Sequence, residues 1–218
     1  MIMKIKTIIF DLDGTLLDTL KDLQESVNHT LAHYHYPLRS LDEVRRFIGN
    51  GVRILLTRAF PEGTSEAMIE EALVIFRNHY STHMYDNTCL YKGIDTMLST
   101  LSNAGYRLAI VSNKMDSAVK ELDLKFFNGM IELAMGAPKE HKKPDPYTVL
   151  EVMKAFSCPA DECIYVGDSD VDIETAHNAS LRCIGVSWGF RGRDFLDEHG
   201  ADFIIDHPSE LISLIQAI

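Results

Sequence analysis

The sequence predicts an α/β protein: a parallel β-sheet core covered by helices on both faces, with an α-helical cap domain inserted after the first strand. Three observations carry this. Short apolar runs, most of them β-branched, recur along the chain and end abruptly in polar residues. Segments of helical periodicity alternate with them, which is the signature of a parallel sheet. Between about Leu17 and Thr88 the alternation stops and only helical spacing remains.

The first strand is read from Ile5, Thr7, Ile8, Ile9 and Phe10, and it ends in the polar loop Asp11-Leu-Asp-Gly-Thr15. Next come Leu20, Leu23, Val27 and Leu31 at helical spacing, then Val44, Phe47 and Ile48, then Ile54, Leu55 and Ala59, then Ile69, Leu73 and Phe76. These predict roughly four helices with no strand among them. Hinges fall near Leu16-Leu17 and Thr88-Cys89, so residues 17–88 are expected to form the cap and residues 1–16 with 89–218 the core. Ile94, Leu98 and Leu101 resume the helical pattern, and Leu108–Val111 is a strand running into Ser112-Asn113. Val149, Val152, Met153 and Phe156 mark another helix. Cys163–Val166 is a strand before Gly167-Asp168, and Cys183–Val186 and Phe203–Ile205 follow. No repeat or low-complexity tract is present.

A chain of 218 residues can bury a substantial core, and 46% hydrophobic with 24% charged residues is the balance of a soluble globular protein. The net charge of -11 argues against general binding to nucleic acid or anionic membranes, although a local cationic pocket can still take a phosphorylated metabolite. Cys89, Cys158, Cys163 and Cys183 have no CxxC spacing, which excludes zinc and redox motifs and suits a reducing compartment. The first ten residues are too short and too broken by lysine for a signal peptide, and no stretch approaches the roughly 20 apolar residues of a membrane span. A cytoplasmic protein, monomeric or homodimeric, is expected.

Ligands of an open parallel sheet bind beyond the carboxyl ends of its strands. Three predicted strand ends carry suitable groups: Asp11 and Asp13, then Ser112 and Asn113, then Gly167-Asp168-Ser-Asp-Val-Asp172. Lys142-Lys143 precedes Pro144 and the next helix. Carboxylates gathered at one pole need a cation, and magnesium accepts one or two of them together with phosphate oxygens and water. A consistent chemistry follows. Asp11 attacks phosphorus and becomes an aspartyl phosphate, while Asp13 protonates the leaving oxygen and later deprotonates water. Ser112 hydrogen-bonds a phosphoryl oxygen and Lys143 offsets its charge. Asp168 completes the metal site, and Asp172 either joins it or orients Lys143.

These motifs, in this order, resemble the haloacid dehalogenase superfamily over nearly the whole chain. The helical insertion is similar to that of its phosphoglycolate phosphatase branch, as are Gly49-Asn50-Gly51 in the cap and Trp188-Gly-Phe-Arg191 late in the core. The resemblance implies a Rossmann-like core, bound Mg2+, the roles just given, and a metal contact from the main-chain carbonyl of Asp13. In the cap, Gly49, Asn50, Gly51 and Arg53 become candidate substrate contacts, because an arginine can clamp a substrate carboxylate.

Each motif alone has a plainer explanation. Asp-x-Asp-Gly occurs in calcium loops, but from Asp11 the sixth and twelfth positions are Leu16 and Asp22, and from Asp168 they are Ile173 and Ala179, so neither fits. Ser112-Asn113 could cap a helix, Lys143 could be a solvated charge, Gly49-Asn50-Gly51 could merely separate two helices, and Trp188 and Phe190 could be packing residues. The nine histidines show no metal spacing. The joint order of four motifs is what favours catalysis. Within the superfamily, Asp13 favours phosphoryl transfer over dehalogenation. The absence of lysine from Asp22 to Tyr91 disfavours phosphonate cleavage, and Leu23 stands where a mutase has histidine. Phosphatase action on 2-phosphoglycolate is the first expectation, with pyrophosphate, sugar phosphates or nucleotides as alternatives. A phospho-receiver domain or a non-catalytic binding protein is the competing class.

Overall fold

The structure is a computed structural model and describes residues 5–218; Met1–Lys4, part of the segment weighed above as a leader, lie outside the described residues. The chain runs β1 (Thr7–Phe10), β2 (Leu17–Asp18), α1 (Leu20–His33), α2 (Leu41–Phe47), α3 (Val52–Ala59), α4 (Glu66–His83), β3 (Cys89–Leu90), α5 (Ile94–Asn103) and β4 (Arg107–Ser112). It continues α6 (Asp116–Phe126), β5 (Leu133–Gly136), α7 (Tyr147–Phe156), β6 (Cys163–Gly167), α8 (Asp170–Asn178), β7 (Arg182–Val186), α9 (Arg193–Glu198), β8 (Phe203–Ile205) and α10 (Leu211–Ala217).

Two compact units result: the described residues up to Leu17 together with Leu90–Ile218, and Asp18–Cys89. The first unit is an α/β fold around a six-stranded sheet of order β5-β4-β1-β6-β7-β8. Every pairing in that sheet is parallel. β1 sits inside the sheet and is buried along its whole length, which is why its sequence is continuously apolar rather than alternating. On one face Ile9, Val111 and Tyr165 pack with Val149, Val152 and Ile173 from the covering helices.

β5 is a strand that the sequence pattern does not announce. Leu-Ala-Met-Gly contains no β-branched residue, and its edge position comes from pairing with Ala109–Ser112 of β4. β2 and β3 form a separate two-stranded ribbon where the chain passes between the units. They are too short to leave a periodic signal.

The second unit contains α1 to α4 and no strand of the main sheet. Its helices start where the sequence supplies caps: Ser40 and Glu43 form a reciprocal capping box on α2, and the Ser65 hydroxyl accepts from Met68 N on α4. Its interior is apolar, with Leu31, Val44, Leu56, Phe76 and Tyr80 all buried. Asp22 is the exception at 1% exposure. Its carboxylate accepts from Asn87 N (2.9 Å), Asn87 Nδ2 (2.8 Å), Thr88 N (2.8 Å) and Thr88 Oγ1 (2.7 Å), tying the last segment of the unit to its first helix.

Candidate active site

Parallel order brings the three polar strand ends together. β4, β1 and β6 are hydrogen-bonded neighbours, and adjacent strands lie about 4.8 Å apart, so residues just beyond their carboxyl ends share one pole. Phe10 is in register with Ile110 and Val166, and Asp11 N continues the ladder by donating to Val166 O at 2.9 Å. The chain then folds back at once: Leu16 N and Leu17 N both donate to Leu12 O.

Lys143 is the hub of the pole. Its Nζ lies 2.8 Å from Asp11 Oδ1, 2.7 Å from Asp172 Oδ1 and 3.2 Å from Tyr165 Oη. The Asp11 contact is a buried ion pair. The Tyr165 hydroxyl also lies 3.2 Å from Val111 O and 3.3 Å from Asp172 Oδ1. Asn113 braces the Lys143 main chain from both sides, accepting from Lys143 N (2.8 Å) and donating to Lys143 O (3.2 Å). The second oxygen of Asp172 accepts from Ser169 Oγ (2.6 Å), Ser169 N (3.1 Å) and Asp168 N (3.2 Å), fixing the carboxylate at the start of α8. Asp168 Oδ2 in turn accepts from Phe190 N at 2.7 Å.

Asp11, Asp168 and Asp172 are all buried, and one carboxylate oxygen from each lies within 4.8 Å of the other two. Burial pushes the Asp11 carboxyl up to about 7; Lys143 opposes the shift, while Asp172 and Asp13 add to it. Asp168 is raised well above the carboxylate range by burial and then by Asp172 and Asp11, against the pull of the Phe190 N–H and Lys143. Burial works against the Lys143 ammonium, yet Asp11 and Asp172 outweigh it and hold its pKa well above the ordinary lysine value. Tyr165 is raised by burial first, and stays a neutral phenol.

With all three carboxylates ionised, one ammonium leaves two negative charges without a counter-charge, which is the deficit a divalent cation fills. The surroundings suit such an ion. A Cβ on Gly14, whose φ is +88°, or on Gly189 would collide with Asp168, so both glycines leave that carboxylate room at the pole. The oxygen-only donor set is the kind that hard divalent cations choose.

The other predicted residues fall as follows. Ser112, 2% exposed, ends β4, and its Oγ accepts from Lys114 N at 3.3 Å. Asp13 turns its carboxylate to Lys114, whose Nζ donates to Oδ1 (2.9 Å) and Oδ2 (3.0 Å). Gly49, Asn50, Gly51 and Arg53 belong to the second unit: the three form the turn between α2 and α3, and the Arg53 guanidinium pairs with Glu66 and Glu70 of α4. Two contributors escape the motif reading, namely Lys114 and Tyr165, while Trp188 and Phe190 of Trp188-Gly-Phe-Arg191 take polar roles it did not assign: Trp188 Nε1 donates to Thr15 O at 3.0 Å, and the Phe190 N–H donates to Asp168. Proximity to a motif could flag Lys114, which directly follows Ser112-Asn113. Tyr165 reads as an ordinary strand aromatic, and a main-chain donor has no sequence signature.

A family model described as haloacid dehalogenase-like hydrolase matches residues 8–186. A phosphoglycolate phosphatase of Pseudomonas syringae is 34% identical over 215 residues, covering 95% of this chain and 78% of that protein. One from Aquifex aeolicus is 33% identical and covers 96% of both chains. A crystal structure from Lactobacillus delbrueckii subsp. bulgaricus, provisionally named phosphoglycolate phosphatase, superposes with a TM-score of 0.92 at 32% identity, covering 97% of this chain and 98% of that one.

Proposed function

The chain belongs to the haloacid dehalogenase-like hydrolase family, and from that premise we propose that it is a magnesium-dependent phosphatase that hydrolyses 2-phosphoglycolate through a phosphorylated Asp11. The observation that carries this reading is the placement of Asp11 at the end of an inner strand, 7% exposed, against Lys143 and beside Asp168 and Asp172.

In this reading Asp11 Oδ attacks phosphorus in line with the departing oxygen. Lys143 holds the nucleophile by its ammonium and, with Ser112, offsets charge on the phosphoryl oxygens. Asp13 gives a proton to the leaving oxygen and takes one from the water that later hydrolyses the acyl phosphate. Asp172 and Tyr165 keep Lys143 in place, and the Phe190 N–H keeps Asp168 turned to the pole. Asp11, Asp168 and the Asp13 main-chain carbonyl would hold Mg2+, with Asp172 behind them. When bound, the ion neutralises charge shared by nucleophile and phosphate.

For the second unit, Gly49, Asn50, Gly51 and Arg53 are proposed as selectivity residues. Its helices are not membrane spans, since no helix among the described residues is long and apolar enough to cross a bilayer. The four free thiols suit a reducing, cytoplasmic setting.

The test is kcat/KM with magnesium on 2-phosphoglycolate, pyrophosphate, sugar phosphates and nucleotides, together with mass spectrometry of rapidly quenched enzyme. The expected outcome is a preference of at least about 100-fold for 2-phosphoglycolate, or about 2.7 kcal/mol of transition-state discrimination, and a phosphoryl adduct on Asp11. Near-normal turnover by Asp11→Asn would refute nucleophilic catalysis, and a preference for pyrophosphate would reassign the substrate.

A further inference from the structure

We propose that Lys114 is the positioning residue for Asp13: its ammonium grips both carboxylate oxygens and sets the orientation from which Asp13 exchanges its proton. This rests on the phosphatase reading above and adds to it a group outside the motif residues.

Lysine has a flexible four-carbon stem and normally carries its charge to solvent. Lys114 instead turns inward. The residue is 5% exposed, and Nζ lies 2.9 and 3.0 Å from the two oxygens of Asp13, 101 positions away in sequence. Burying an ammonium is unfavourable unless a paired charge offsets the lost hydration, so the contact is specific rather than incidental. The base of the side chain is fixed as well. Lys114 N donates to Ser112 Oγ, and Gly136 at the end of β5 leaves room for the Lys114 carbonyl, where a Cβ would come within 2.7 Å of it.

The two buried lysines therefore divide the acids between them. Lys143 takes Asp11 and Asp172, and Lys114 takes Asp13. One consequence is visible in the acidic cluster: the carboxylates of Asp11, Asp168 and Asp172 converge there, and that of Asp13 is not among them. Lys114 holds Asp13 apart from the cation-binding group and leaves it to proton transfer.

The steps balance. A bond forms from Asp11 Oδ to phosphorus as the bond from phosphorus to the substrate oxygen breaks, and the proton on one Asp13 oxygen passes to that leaving oxygen. Water then bonds to phosphorus, the Asp11–phosphorus bond breaks, and Asp13 takes the proton of the water. Throughout, Lys114 keeps its hydrogen bond to the other Asp13 oxygen, so a single oxygen is presented for the proton.

The test compares Lys114→Met with wild type on 2-phosphoglycolate, whose leaving alkoxide needs a proton, and on p-nitrophenyl phosphate, whose leaving phenolate does not. kcat/KM reports events up to departure of the leaving group, and the ratio between two substrates in one preparation does not depend on the folded fraction. The loss on 2-phosphoglycolate is expected to exceed the loss on p-nitrophenyl phosphate by about tenfold or more, within the range general acid catalysis supplies. In an Asp13→Asn background, adding Lys114→Met should change kcat/KM on 2-phosphoglycolate by less than about twofold, because residues acting as one unit are not additive. Lys114→Gln, which keeps a polar terminus, serves if the methionine variant does not fold. Proportional losses on both esters, or a full further loss in the Asp13→Asn background, would overturn the Lys114 assignment alone. A wild-type chain inactive on both esters would overturn the phosphatase reading and this one with it.

Discussion

Replacing Asp11 by asparagine removes one of three buried carboxylates that share a single ammonium, and should stabilise the cation-free protein increasingly as pH rises. Asp11 titrates at about 7 in the folded protein against 3.8 for an unperturbed aspartate, mainly because it is buried. Between those values the folded state holds a proton that the unfolded state has lost. Stability therefore falls as pH rises toward 7 and stays low above it. From pH 5 to the folded value of 7 is two units, at about 1.4 kcal/mol each, so wild type should lose about 3 kcal/mol relative to Asp11→Asn between pH 5 and pH 8. Asparagine keeps the shape of the neutral acid and does not titrate, so its own curve lacks this term. The assay is urea unfolding of both proteins with a chelator present at the two pH values. A difference between the two proteins that does not change with pH, or one that moves in favour of wild type at pH 8, would refute the reasoning. Adding a divalent cation at 100 times its Kd should return about 2.7 kcal/mol to wild type and less to the variant, which has lost a ligand.

Other perturbations separate the parts of the site. Lys143→Met strips Asp11 and Asp172 of the ammonium they share and should destabilise the chelated protein by about 3–5 kcal/mol in urea, as expected when one partner of a buried pair is removed; an unchanged midpoint would contradict the hub role. Gly189→Ala pushes a methyl group into Asp168 and should weaken divalent-ion binding, measured by calorimetry, by roughly 10- to 100-fold, the usual penalty for disturbing a ligand's support; unchanged affinity would place the cation elsewhere. Asp22→Ala leaves four donors of Asn87 and Thr88 without their acceptor and should cost about 2–4 kcal/mol, seen as faster amide exchange across α1 and residues 87–88; normal protection would show that the segment is held by other means.

The alternation of β-branched runs with helical periods placed five of the six main strands, because buried parallel strands must be apolar on both faces and so stand out in sequence. The four-helix block was legible for a similar reason: each helix shows the core an apolar stripe at 3.6-residue spacing. β5 was not legible, since a four-residue edge strand without β-branched residues is defined by its partner rather than by its own propensity. At the site, Asp11, Asp13, Ser112, Asp168 and Asp172 could be named because short polar clusters directly after apolar runs are conspicuous, and Lys143 because its lysine pair precedes Pro144 and the next helix.

What the order of residues determined alone was the set of polar motifs and the predicted strand ends that carry most of them, since these follow from local pattern. The pairings waited on the tertiary structure. Lys143 bridges Asp11 and Asp172, Lys114 grips Asp13, and Tyr165 and the Phe190 N–H brace the rest. Such contacts join positions 101 residues apart and more. They depend on which strands become neighbours and on how deeply each charge is buried, and neither property belongs to any local stretch of the chain.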